Sequence, residues 1–251
     1  MKWNLVGKIP SPRDTPWANA KSRLQAKNDT CVFGDGVPAG VAAIDMSNRF
    51  DRKHDLNVLD GPMDERRIAV AVAALDRMIV PYLLWSKERG LAEAGDKLRE
   101  NLWSYAATGE PAPDEQSVEQ LYPGPGDVVT LESAYAESFL EALQLLALFA
   151  ETGDQMRLVE IREAAYSMAD AAASDMLVRG GAGVQWTPEV ESAVSFHPWV
   201  SRELQVQDAD VMAASWADML DTLVDELRAT SKAKPVVSEE EFEIMRSYQS
   251  G

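Results

Sequence analysis

The chain has 251 residues, is 46% apolar and carries a formal charge of −17. That length and composition suit one large soluble domain or two small ones. A single cysteine, Cys31, excludes an intramolecular disulfide, a cysteine-rich zinc site and CxxC redox chemistry.

No apolar run reaches the roughly 20 residues of a membrane span, and "MKWNLVGKIPSPRDTPW" lacks the apolar stretch of a signal peptide. The sequence therefore points to a cytoplasmic protein with no membrane contact. The charge is uneven. Residues 1–60 hold 9 Lys/Arg against 7 Asp/Glu, whereas the remaining 191 hold 15 against 34. Phosphate backbones require a basic surface, so the acidic body argues against nucleic-acid binding. It favours a basic protein partner, or simply solubility.

Residues 1–60 read as an irregular N-terminal arm, lying on the body or on a partner. Pro10, Pro12, Pro16 and Pro38 interrupt any helical period. Within the arm, "CVFGDGVPAGVAAIDM" is a candidate small β-hairpin turning at Gly34-Asp35-Gly36. Residues 61–251 read as an α-helical domain. Gly61 and Pro62 punctuate its start, with Asp64 as an N-cap candidate. Ile68, Val72, Leu75, Ile79 and Tyr82 recur at helical spacing; Pro81 inside that stripe predicts a kink or a new helix start. Leu91, Ala94, Leu98, Leu102 and Tyr105 continue the period. Residues 108–129 are a Pro/Gly-rich connector with room for one short helix.

The strongest helical signal covers 130–151, where Leu131, Tyr135, Leu146 and Phe149 mark one face while Phe139, Leu140 and Leu143 crowd others. A helix apolar on most sides is expected at the centre of a bundle. "ETGD" supplies a glycine C-cap and Asp154 as the next N-cap, opening an alanine-rich helix over 155–177. Thr187 and Pro188 suit an N-cap and first helical position. A long helix is expected from Pro198 to Ala229, and Ser238 caps a last one. The fold class is all-α: a multi-helix bundle with an irregular arm.

Candidate chemistry is sparse. "GDGVPAG" resembles a phosphate loop only loosely, since Pro38 removes a donor and no helix follows. No HExxH, Glu-x-x-His pair or GxSxG elbow occurs. Asp218, Asp221 and Asp225 share a helix as a solvated acidic face. His197, just before Pro198, reads as a capping or packing residue. No catalytic residue, metal ligand or cofactor is expected. One polar constellation stands out: Glu203, Gln207 and Asp210 fall at i, i+4 and i+7, with Asp208 beside them. It is either a hydrogen-bond network between helices or a pocket or partner-facing site.

These residues also carry a resemblance. Pro198, Val200, Glu203 and Gln207 form P-x-V-x-x-E-x-x-x-Q. Upstream, "LDRMIVPYLLWSKERG" leads into "LRENLW", giving Arg77-Met78, Tyr82, a glycine turn and Trp103. Over about residues 64–229 this order resembles the YjaG-like family, bacterial domain of unknown function 416. The resemblance implies an all-α bacterial domain of no settled activity, with no catalytic residues to carry over. Residues 1–60 look like an addition to it, and Pro81 departs from the usual run-in to the tyrosine.

The function expected from these readings is a non-catalytic acidic interaction protein, most specifically an immunity protein that neutralises a toxin or effector. The alternative is an enzymatic or small-molecule-binding domain using the Glu203/Gln207/Asp210 face. A helical scaffold that forms a homodimer is a third, blander expectation.

Overall fold

A computed structural model describes residues 50–52, 64–124, 127–179 and 186–249. The candidate hairpin and the glycine loops at 34–40 and 180–183 lie outside them. Chain contacts divide the molecule into units 1–44 and 45–251, and the second contains everything below. Among the described residues it is an all-α bundle of ten helices with no strand. In chain order they are α1 (Asp64–Met78), α2 (Val80–Glu88), α3 (Ala92–Thr108), α4 (Glu115–Glu119) and α5 (Leu131–Thr152). Then come α6 (Met156–Arg179), α7 (Pro188–Ser195), α8 (Pro198–Trp216), α9 (Leu220–Ala233) and α10 (Glu239–Gln249).

Helix ends follow local chemistry. Thr130 and Ser133 form a reciprocal capping box at the start of α5. Gly153 closes that helix at φ 69°, a left-handed conformation that an L side chain resists. Asp154 Oδ1 then accepts from Met156 N at 3.1 Å to open α6. Thr187 caps α7 with Pro188 in its first turn, as the sequence suggests.

The axis of the bundle is α1 rather than α5. Every residue from Ala69 to Ile79 is buried, and α3, α6, α8 and α9 pack around it. Ala69, Ala71, Ala73 and Ala74 let those neighbours approach closely. Helix α5 instead lies between α2, α4 and α6 and keeps Glu141 exposed. Tyr82 joins the two regions, packing on Phe139 of α5 at 5.4 Å and on Trp85 at 5.7 Å.

Pro81 divides α1 from α2, which are bent by 48°. Without an N–H, Pro81 cannot donate to the carbonyl four residues back, that of Arg77. Val236 N supplies the missing donor at 2.9 Å from the connector between α9 and α10. The break is thus satisfied by a distant segment rather than left open.

The expected single helix over 198–229 is instead two. It stops at Trp216, Ala217 is extended at φ −64° and ψ 130°, and α9 begins at Leu220. No glycine or proline marks this break. Its cause is tertiary: α8 packs chiefly on α6 and α1, α9 on α1 and α3, and the change of partner requires a change of direction. Among the described residues no single helix is long and apolar enough to cross a membrane.

Candidate functional site

The polar constellation of α8 faces inward. Glu203, Gln207 and Asp210 are each at most 2% exposed, whereas Asp208 points to solvent. Helical spacing separates them: positions 203, 207 and 210 share the face toward α1 and α6, and 208 is turned away.

Their partner is Arg77, in the last turn of α1 and fully buried. Its Nε donates to Glu203 Oε2 and its Nη2 to Oε1, both at 3.0 Å, in the planar fork that arginine makes with a carboxylate. Its Nη1 donates to Asp210 Oδ2 at 2.5 Å. One guanidinium thereby joins two carboxylates one helical stretch apart.

Gln207, between them, ties in α6. Its Nε2 donates to Glu203 Oε1 at 2.8 Å and to the Arg162 carbonyl at 3.0 Å. Arg162 Nη2 returns a bond to the Gln207 carbonyl at 3.2 Å. Arg162, itself 2% exposed, also acts electrostatically on Asp210. Two buried arginines therefore face two buried carboxylates, and this cluster is balanced in formal charge.

The electrostatics follow from that geometry. Burial alone would lower the Arg77 pKa, but Glu203 and Asp210 outweigh it and hold the guanidinium above its ordinary value. For Asp210 burial dominates: its carboxyl titrates above the usual range although Arg77 draws it down.

A second set of ion pairs surrounds this centre. Asp76, 1% exposed, receives Arg99 Nε at 2.6 Å, tying α3 to α1. Arg202 forks onto Glu241 at 2.9 and 3.0 Å and donates to the Val236 carbonyl at 2.8 Å. Val236 therefore bonds through its N–H to Arg77 and through its carbonyl to a residue adjoining Glu203. Glu241 also accepts from Ser238 N at 2.7 Å, closing the cap of α10. Glu132, at the start of α5, is held by Arg246 of α10.

His197 sits at the entry of α8, away from the network. Its Nδ1 accepts from Trp199 N at 3.3 Å, so it is the helix cap, and its ring meets Trp199 edge-on at 4.7 Å. Burial holds its pKa below the ordinary value. His54 lies outside the described residues. Asp218, Asp221 and Asp225 are exposed, and among the described residues no group of three or more His, Cys, Asp or Glu is placed to hold a metal ion.

Chemically, the network binds helices to one another. At 0–2% exposure Arg77, Glu203, Gln207 and Asp210 are closed off from bulk solvent; they bond largely to one another, and Gln207 Oε1 is left as a buried acceptor without a hydrogen-bond donor. Periodicity alone misses Arg77 and Arg162, because charged residues are assigned to the surface. The missed signal is context: "AVAVAALDRMIVPY" sets Asp76 and Arg77 inside a run that is apolar on every helical face, so both must be buried and paired.

No protein-family model, no curated protein and no solved structure matches this chain.

Proposed function

We propose that this chain is a non-catalytic interaction protein, specifically a bacterial immunity protein that binds and neutralises a cognate toxin or effector in the cytoplasm. The observation that carries this reading is where the charges lie. Arg77 is buried against Glu203 and Asp210, and the half-buried Arg99 and Arg202 are paired with Asp76 and Glu241 of the same chain. Asp208, Asp218, Asp221, Asp225 and Glu226 remain at the surface. Each buried pair is neutral in itself, so the net charge of −17 is carried by the rest of the chain. A toxin acting on nucleic acid needs a cationic surface for phosphate. An acidic protein is complementary to that surface, is steered toward it and excludes its substrate by covering it.

Kinship with the YjaG-like family belongs to the same proposal. It rests on the order of Arg77, Tyr82, Trp103, Pro198, Val200, Glu203 and Gln207 along the sequence.

The test is co-expression with the product of the gene immediately upstream. Restored growth, with a complex that weakens as salt rises, is the expected result. Failure to restore growth together with the absence of a complex would falsify the proposal.

A further inference from the structure

Three large apolar side chains stand in solvent at the break between α8 and α9: Trp216 at 81% exposure, Met212 at 62% and Met219 at 61%. Met212 and Trp216 lie one turn apart on the outer face of α8, and Met219 immediately precedes α9. Single exposed apolar residues are ordinary, but three within eight positions form a patch. Tryptophan and methionine are also the types enriched in the cores of protein interfaces, where tryptophan most often anchors binding.

The rim of this patch is acidic. Asp208 precedes Met212 by one turn, and Asp218, Asp221 and Asp225 follow Trp216; all four are exposed. The chain has no Lys or Arg between Arg202 and Arg228. Those two are already paired with Glu241 and Glu100. Arg66 approaches the same corner from α1, donates to the Ala214 carbonyl at 3.3 Å and keeps its positive charge there. Four exposed aspartates flank the apolar centre against that one guanidinium, so the balance at the corner is acidic.

We propose that the α8–α9 corner is the docking surface for a basic protein segment, one that offers an apolar anchor flanked by Lys or Arg. This rests on the interaction reading above and names its face. The charge selects the occupant. A second copy would bring aspartate rim against aspartate rim, and nucleic acid or an anionic membrane would be repelled in the same way.

The test uses the full chain and a fluorescent amphipathic peptide of lysine and leucine, about five helical turns long, with a glutamate–leucine twin as control. The lysine peptide is expected to bind and the twin not. Binding should weaken at least about tenfold, or about 1.4 kcal/mol, in Trp216→Ser/Met212→Ser, and similarly in Asp208→Asn/Asp218→Asn/Asp221→Asn. Each variant alters only exposed side chains, so unchanged melting curves verify that the fold is intact. Equal binding by wild type and the serine variant overturns the proposal, as does no binding at all. So does a wild-type dimer in light scattering that the serine variant dissociates. Growth restoration separates the two claims. If wild type and the serine variant restore growth equally, the face is wrong and the interaction reading stands. If wild type neither restores growth nor forms a complex with that gene product, the interaction reading falls regardless of the peptide.

Discussion

Arg77 and Glu203 are 126 residues apart in sequence and share a two-pronged hydrogen-bonded fork at 3.0 Å, both of them at most 1% exposed. Removing one partner strands the other's charge in the core. Arg77→Met is therefore expected to cost about 3–5 kcal/mol in urea unfolding. Replacing the whole set, as Arg77→Met/Arg162→Met/Glu203→Met/Asp210→Leu, should recover much of that loss, because both buried arginines and both carboxylates are then gone. A quadruple variant less stable than the single one would contradict this reading.

The acid limb of stability should respond in opposite directions to two carboxylates. Burial works to raise the Glu241 pKa, but the Arg202 fork and the Ser238 N–H outweigh it and hold the carboxyl below its ordinary value. Its contribution is present above an ordinary glutamate pKa of about 4.3 and is lost as pH falls through the lower folded value. Asp210 is raised, so the folded chain takes up its proton before the unfolded chain does, and stability falls as pH rises through that window. Glu241→Gln should flatten the acid limb and Asp210→Asn should steepen it. Unfolding free energies measured at several pH values below neutrality decide the matter; slopes changing in the same sense would refute it.

Pro81 looks like a helix breaker whose removal should help. A proline in a helix interior costs about 3 kcal/mol relative to alanine. Here it occupies the first turn of α2, and the carbonyl it vacates is bonded to Val236 N. Pro81→Ala should therefore change stability by less than about 1 kcal/mol. A thermal stabilisation matching the full propensity gain would show that the Val236 bond does not replace the helical one.

His197 caps α8 in its neutral form, since Nδ1 must accept from Trp199 N. Its lowered pKa means that its contribution is present above about pH 6.5 and is lost as pH falls through the folded value. His197→Ala should cost about 1 kcal/mol at pH 8 and progressively less in acid. A difference between wild type and variant that widens toward pH 5 would rule out the capping role.

The helices were legible because their signals are local. The apolar stripe from Leu91 to Tyr105, the Gly153–Asp154 junction and the Thr187–Pro188 start all depend on near neighbours, and each matches an observed element. The end of α8 was not legible. "SWADML" contains no breaker, and the turn there reflects which helices each half packs against. The central position of α1 was hidden by Asp76 and Arg77, whose charges suggest a surface until Arg99, Glu203 and Asp210 are found opposite them. The spacing of Glu203, Gln207 and Asp210 correctly placed them on one face. Whether that face pointed inward depended on an arginine more than a hundred residues upstream, which spacing within α8 cannot supply.

The most direct measurement is a double-mutant cycle between Arg77 and Glu203 by urea unfolding. If the α8 face is an internal lock, Arg77→Met and Glu203→Met are each strongly destabilising alone. Together they should cost far less than their sum, with a coupling energy near the upper end of the usual range, about 3 kcal/mol. Additivity within about 0.5 kcal/mol would contradict the account and return Glu203, Gln207 and Asp210 to consideration as a functional face.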